Sequence, residues 1–280
     1  MILEPNQLFT LGPEGTFSDQ AARLLISKAG LKGVTIHYTR TIPEVLVRTE
    51  AEGHSLGVFP IENSVAGTVG PAQDALVNHR LTLLWEINIR VRFSMIANRP
   101  LKEVKTYFAH PQAFDQCPRY LTQNLSQGQV IFTNSNTESG QRFFDEGDSP
   151  AAAIVPIEFG AQHSDWLVAE DIQDYPNNTT RFLVGRRAEA DEKHDFSQGK
   201  TSLLIEPHED RPGLLHELLS IFQAHQLNLC RLESRPAKIT PWNYIFYIDF
   251  NNGPATEKCL EELRATRNTI RVLGSYNLLE

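Results

Sequence analysis

The segment NNTTRFLVG, residues 177–185, sets two threonine hydroxyls and a guanidinium at the entrance of an apolar, strand-like run. A threonine at a strand end can donate or relay a hydrogen bond, but an ordinary alcohol is a weak acid. Proton transfer from Thr180 therefore needs a developing alkoxide or a neighbouring carboxyl group, for which Glu62 is the candidate. Glu62 lies in a second chemically loaded stretch, VFPIENSVAGTVG (58–70). There a buried strand ends in Glu62, Asn63 and Ser64, which either point into a cleft or cap the next element. A third stretch, GPEGTFS (12–18), puts two glycines between a strand and a helix start. Backbone N–H groups with the Thr16 and Ser18 hydroxyls beside them make either a carboxylate site or an ordinary capped loop. The glycine spacing is neither G-x-G-x-x-G nor a P-loop, which argues against a nucleotide. In AHPQAFDQCPRYL (109–121), Gln112 and Gln116 share one helix face at i and i+4, where two amides can grip a carboxylate or simply be solvated. The nine histidines show no metal-ligand spacing, and no Ser-His-Asp order stands out, so no metal is expected.

Positioning these groups requires strands that alternate with helices. LFTLG (8–12) reads as a strand, and SDQAARLLISKAG (18–30) as a helix with Ser18 as its N-cap and Gly30 as its stop. TIPEVLVRTEAEG (41–53) repeats that grammar, SLGVFPIEN (55–63) is a short buried strand, and LTLLWEINIRVRFSMIA (81–97) alternates like strands. Residues 1–184 therefore form an α/β domain with mostly parallel pairing. GRRAEADEKHDFSQGK (185–200) is charged and nearly free of large apolar residues, and reads as a linker. Residues 201–280 follow the order β-α-β-β-α-β, a ferredoxin-like module.

The bulk numbers narrow the class. The 280 residues are 41% hydrophobic, enough for a packed core, and no run approaches the length of a membrane-spanning helix. No basic n-region joins an apolar h-region at the start, and the three cysteines are odd in number and widely spaced, so a reducing cytoplasm is expected. A net charge of −8 disfavours nucleic-acid and anionic-membrane partners. An anionic ligand then needs a local basic site, for which Arg90, Arg92, Arg99 and Arg181 are the stock.

In order along the chain, LGPEGTFS, PIENSVAGTV (60–69), HPQAFDQC (110–117) and NNTTRFLV resemble the signature segments of the prephenate dehydratase family. RPGLLHELL (211–219) and NLCRLESRP (228–236) are similar to the segments of an ACT domain, an amino-acid-sensing module. The resemblance implies a two-lobed, periplasmic-binding-protein-like fold, with lobes of about 1–95 plus 168–184 and about 96–167. It implies the decarboxylating dehydration of prephenate to phenylpyruvate without a cofactor. Thr180, Glu62 and Asn63 would be catalytic; Thr16, Ser18, Ser64, Gln112, Gln116, Arg181 and Phe182 would bind substrate; Thr179 would be a variable position. L-Phenylalanine, as feedback inhibitor, would contact Pro212, Gly213, Leu214, Asn228, Glu233, Ser234, Arg235 and Pro236, in a homodimer or homotetramer built through the ACT domains. Leu214 stands where such sensors usually carry alanine. NSNTESG (134–140) and AAAIVPIEFGA (151–161) receive no role. An arogenate dehydratase and a non-catalytic binding or sensor protein are the alternative readings.

Overall fold

A computed structural model describes residues 5–237 and 243–279; the outermost bounds expected for the two domains, 1 and 280, lie outside the described residues. The strands are β1 (Gln7–Leu11), β2 (Thr35–Thr39), β3 (Ser55–Asn63), β4 (Gly67–Thr68), β5 (Leu81–Arg90), β6 (Phe93–Ala97), β7 (Thr106–Ala109), β8 (Gln129–Phe132), β9 (Ala151–Pro156), β10 (Leu167–Glu170), β11 (Thr179–Arg187), β12 (Lys200–Glu206), β13 (Leu229–Pro236), β14 (Tyr244–Asn251) and β15 (Thr269–Leu278). The helices are α1 (Phe17–Lys28), α2 (Ile42–Ala51), α3 (Gly70–Asn78), α4 (Pro111–Gln116), α5 (Pro118–Asn124), α6 (Asn136–Asp145), α7 (Ile157–Gln162), α8 (Leu214–Ala224) and α9 (Thr256–Ala265). Among the described residues, no helix is long and apolar enough to cross a membrane.

Two lobes with separate sheets form the first part of the chain. The first lobe orders its strands β5-β11-β3-β1-β2, and the second β10-β6-β9-β7-β8. The apolar run 81–97 is divided between them: β5 stays in the first sheet, and β6 opens the second at Phe93. The second sheet ends with β10 at Glu170, so both crossings lie a few residues outside the expected 96–167. Pairing is mixed rather than mostly parallel. β1 runs parallel to β2 and β3, whereas β11 is antiparallel to both β3 and β5. The cause is connectivity, because β11 re-enters the first sheet from the second lobe instead of through a right-handed crossover. β11 continues to Arg187 and β12 starts at Lys200, so the irregular linker is 188–199, shorter than 185–200.

The last module has the ferredoxin-like order β15-β12-β14-β13, but it is not a separate layer. β15 pairs parallel with β5, and one ten-stranded sheet runs through both domains. Its hydrophobic core is shared as well: Phe9, Leu46, Ile61 and Leu83 pack in one cluster with Leu204, Tyr247, Leu273 and Tyr276. The Tyr247 hydroxyl donates to the Gln73 carbonyl at 2.7 Å. Arg271 donates to the Leu76 and Val77 carbonyls, placing a cation at the C-terminal end of α3, where it offsets the helix dipole.

The join between the sheets needs a residue without a side chain. A Cβ on Gly274 would stand 2.3 Å from the Leu83 carbonyl oxygen and 2.7 Å from the Leu83 Cβ. Neither atom can give way without shifting β5. Gly274→Ala is expected to destabilise the chain by about 1–3 kcal/mol, as overpacking does. A lower urea midpoint relative to the unsubstituted chain checks this.

Candidate active site

The pairing of β3 with β11 builds the site. In this antiparallel ladder Thr180 lies opposite Asn63, and Arg181 opposite Glu62. Side chains alternate between the two faces of a strand. Asn63 and Thr180 therefore share one face, and Glu62 and Arg181 share the other.

On the first face a chain of neutral amides leads to the threonine. Asn63 Nδ2 donates to Thr180 Oγ1 at 2.9 Å and to Asn178 Oδ1 at 2.8 Å. Asn63 Oδ1 accepts the backbone N–H groups of Val65 and Ala66, at 3.0 and 2.8 Å, which fixes the orientation of the amide. Asn178 Nδ2 in turn donates to Gln116 Oε1, at 2.8 Å, on α4 of the second lobe. Asn63, Asn178 and Gln116 are all buried. Ser64 Oγ closes the corner by accepting the Thr179 N–H at 2.9 Å. Thr180 Oγ1 thus accepts a hydrogen bond, and among the described residues its own proton has no acceptor. An alcohol so placed can donate to a ligand oxygen in the cleft.

Several sequence-based expectations take a different place. Glu62 cannot serve Thr180, because strand alternation turns it to the opposite face. There its carboxylate lies 3.7 Å from Arg181 and 3.8 Å from Arg231. Arg181 does not reach the cleft either. Its Nε donates to Glu86 at 2.8 Å, and its Nη1 and Nη2 donate to Asp249 at 2.7 Å and Tyr276 at 2.8 Å. Burial alone would lower the Arg181 pKa, yet the oxygens of Tyr276, Asp249 and Glu86 outweigh it and raise the pKa above its ordinary value. Phe182 shares the face of Thr180 but is fully buried in the core with Leu8, Ala22 and Leu25, so it underlies the sheet rather than forming a cleft wall.

The glycine loop is a capped turn. Thr16, not Ser18, is the N-cap of α1, and its hydroxyl accepts from the Asp19 N–H. Ser18 is buried in the first turn. The Gly15 N–H donates to Asp19 Oδ2 at 2.9 Å, and Arg23 and the Tyr38 hydroxyl also donate to that carboxylate. The anion position at this helix start is therefore filled by the chain's own Asp19. Burial, then the hydrogen bond to Asp19, pushes the Tyr38 phenol up to about 12.

The arginines available for an anion are likewise engaged. Arg90 donates to the Pro176 carbonyl, Arg92 pairs with Asp171, and Arg99 donates to the Asn98 carbonyl. Of the two glutamines, only Gln116 enters the amide chain, whereas Gln112 is exposed at the start of α4. His110 caps that helix, with Nδ1 accepting the Gln112 N–H at 3.3 Å. Burial holds its imidazole below the ordinary histidine range, which suits an acceptor nitrogen.

The expected effector residues also divide by strand alternation. Leu214 and Ser234 line a cavity of about 200 Å³ together with Asp210, Tyr244 and Phe246. Gly213, at a φ of 86°, precedes α8 beside it. Glu233 and Arg235 face the first lobe instead: Thr68 Oγ1 donates to Glu233 at 2.9 Å, and Arg235 pairs with Asp74 at 3.0 Å. Pro236 borders a second hollow with Asp74 and Tyr247, while Pro212 and Asn228 are exposed. The residue that sequence reasoning missed is Asn178. Its signal was the Asn-Asn pair before the threonines, but its partner Gln116 is 62 positions away.

A family model described as prephenate dehydratase matches residues 8–190, and one described as ACT domain matches residues 202–268. The chain is 32% identical over 277 residues to the prephenate dehydratase of Methanocaldococcus jannaschii, covering 98% of each chain. Among solved structures, the prephenate dehydratase from Staphylococcus aureus subsp. aureus Mu50 superposes with a TM-score of 0.81 at 29% identity, covering 97% of this chain and 100% of that one. The prephenate dehydratase of Arthrobacter aurescens, solved in complex with L-Phe, gives a TM-score of 0.82 at 30% identity, covering 97% of this chain and 89% of that one.

Two measurements check the geometry of the cleft. Asn178→Ala leaves the buried amides of Asn63 and Gln116 without their partner, and is expected to cost about 1–3 kcal/mol in chemical denaturation. His110 has a depressed folded-state pKa, so its contribution to stability is complete above the ordinary value of about 6.5 and is lost as pH falls below it. His110→Gln should therefore flatten the loss of urea midpoint seen on acidification through that range.

Proposed function

The chain belongs to the prephenate dehydratase family, and on that premise we propose how its cleft converts prephenate into phenylpyruvate. The substrate is a dicarboxylate whose ring hydroxyl leaves while the ring carboxylate departs. The C–O bond breaks with its electron pair on oxygen, which takes up a proton to form water. The electron pair of the C–COO⁻ bond fills the ring as CO2 is released, and the product is aromatic. Aromatisation supplies the driving force. The protein's tasks are to deliver a proton to the leaving oxygen, to hold the side-chain carboxylate, and to keep the ring carboxylate poorly solvated.

Thr180 is the group that meets the leaving hydroxyl. The observation that carries this reading is the 2.9 Å hydrogen bond from Asn63 Nδ2 to Thr180 Oγ1. Because the amide occupies a lone pair of the hydroxyl, the threonine proton is directed elsewhere, and the donated hydrogen bond makes the alcohol more acidic. Asn63 and Asn178 orient it, Gln116 ties it to the second lobe, and Ser64 holds the strand end. A proton taken from Thr180 is replaced from water, with no carboxyl relay from Glu62.

The remaining assignments concern regulation and assembly. The ACT domain binds L-phenylalanine at the Leu214–Ser234 cavity and lowers turnover, a reading supported by the L-Phe complex of the Arthrobacter aurescens relative. The chain assembles as a dimer or tetramer through its ACT domains. Three free cysteines, Cys117, Cys230 and Cys259, suit the reducing cytoplasm in which we place it.

The test is phenylpyruvate formation from prephenate, with arogenate offered in parallel. Thr180→Val keeps the shape and removes the hydroxyl, and kcat is expected to fall by about 10²–10⁴, the range of a positioned proton donor. Thr180→Ser should retain most of the turnover. Unchanged kcat in Thr180→Val would sink the assignment, and a higher kcat/KM for arogenate would make that the substrate.

A further inference from the structure

We propose that Asp249 and Tyr276 of the ACT domain are positioning residues for the dehydration, acting through Arg181 to hold Thr180 in place. The inference rests on the reading of Thr180 as the group that meets the leaving hydroxyl. Arg181 follows Thr180 directly in β11, and its side chain crosses to the far face of the sheet. There it enters a closed ring of hydrogen bonds. Nη1 donates to Asp249 Oδ2 at 2.7 Å, and Nη2 donates to the Tyr276 hydroxyl at 2.8 Å. Tyr276 and Ser202 are 2.6 Å apart, and Ser202 Oγ donates to Asp249 Oδ1 at 2.5 Å. Since Ser202 spends its proton on Asp249, Tyr276 must donate to Ser202, and the ring has a single consistent direction.

A guanidinium donates in a fixed planar fork, so three partners on three sides define its position and its tilt. The partners are themselves buried: side-chain exposure is 3% for Glu86 and 4% for Asp249, and Tyr276 is buried as well. Adjacent Cα atoms lie about 3.8 Å apart, so a clamp on the Arg181 side chain restrains the strand at Thr180 as well. The same holds for the other member of the catalytic pair. Glu62, directly before Asn63, lies between Arg181 and Arg231, and Arg231 is an ACT residue. Both residues that make the 2.9 Å bond of the site thus have a sequence neighbour tethered to the ACT sheet.

One strand links this clamp to the cavity. β14 carries Tyr244 and Phe246 in the lining around Leu214 and Ser234, and Asp249 three residues further on. A ligand that shifts β14 in the cavity therefore moves the carboxylate that holds Arg181. Catalytic geometry and effector occupancy meet at Asp249.

The experiment uses the full chain with Asp249→Asn and Tyr276→Phe. Each is assayed for kcat and KM with prephenate, for L-phenylalanine binding by calorimetry, and for inhibition by L-phenylalanine. The expected result is a fall in kcat of about tenfold or more with KM nearly unchanged, because displacement of a reacting group by about 1 Å costs up to about a hundredfold in rate. L-Phenylalanine should still bind Asp249→Asn, yet inhibit it far less. Arg181→Lys, whose compact ammonium cannot reproduce the planar fork that spans Glu86, Asp249 and Tyr276, should lower kcat similarly, and combining it with Asp249→Asn should add little, as expected for residues acting as one unit. If Asp249→Asn fails to fold, Tyr276→Phe, which removes one hydroxyl, decides the matter alone. Wild-type kcat in the folded variants, or a rise in KM at constant kcat, overturns the proposal. A wild-type chain without prephenate turnover overturns the functional reading and this inference with it, so the two failures are distinct.

Discussion

A cluster of ions at the junction of the two domains, buried at its centre around Arg181, Arg231, Glu86 and Asp249, is the constraint that the rest of the molecule obeys. Arg181, Arg231 and Lys200 meet Glu62, Glu86 and Asp249 between the first lobe and the ACT sheet. Three cations against three carboxylates balance the cluster, with Glu62 and Lys200 half-exposed at its edges and the other four groups withdrawn from water. Burial of such groups is costly, and removing one partner of a buried pair typically costs about 3–5 kcal/mol because the other charge is stranded. A docking of the ACT domain that separated these pairs would strand their charges and carry that cost. Because desolvation offsets the attraction, ion pairs of this kind contribute little net stability. The stabilising contribution comes from the apolar cluster alongside, where Ile61 and Leu83 pack with Tyr247 and Leu273.

On the other face of the same strands the polarity has a different character. The route from Gln116 through Asn178 and Asn63 to Thr180 contains no formal charge. Amides present a donor and an acceptor at fixed geometry without attracting a counter-ion. That suits a site for a substrate bearing two carboxylates, where an enzyme carboxylate would repel the ligand. The alternation of β3 and β11 keeps the charged set and the neutral set one residue apart and on opposite sides of the sheet. The charged set and the neutral set thus use the same two strands without mixing their electrostatics.

Much of this organisation was legible in the chain itself. The strand at 55–63 and the ferredoxin-like order of the last eighty residues follow from periodicity and turn residues, and three of the four signature segments supply the residues that meet in the amide chain. What the linear text conceals is pairing. Glu62 and Asn63 are consecutive, as are Thr180 and Arg181, so period-two alternation forbids both members of either pair from facing one ligand. Applying that rule requires knowing that β3 and β11 are neighbours, which is a contact across more than a hundred residues. The same blindness hid Asp19, which fills the helix start that looked open to an anion. It hid Asp249 as well, because nothing near residue 249 signals a partner at 181.

The continuous ten-stranded sheet changes what counts as a unit in this chain. Composition divides the protein at the charged linker, yet hydrogen bonding and core packing divide it elsewhere. The first lobe and the ACT module share a sheet and a hydrophobic cluster, while the second lobe has its own sheet and its own core. Cooperative units of folding follow shared burial rather than sequence boundaries. In energetic terms the partition is then an inserted second lobe against a composite of residues drawn from both ends of the chain. The first lobe completes that composite only once the C-terminal strand β15 has been made, which puts synthesis of the regulatory module on the path to a fully assembled catalytic sheet.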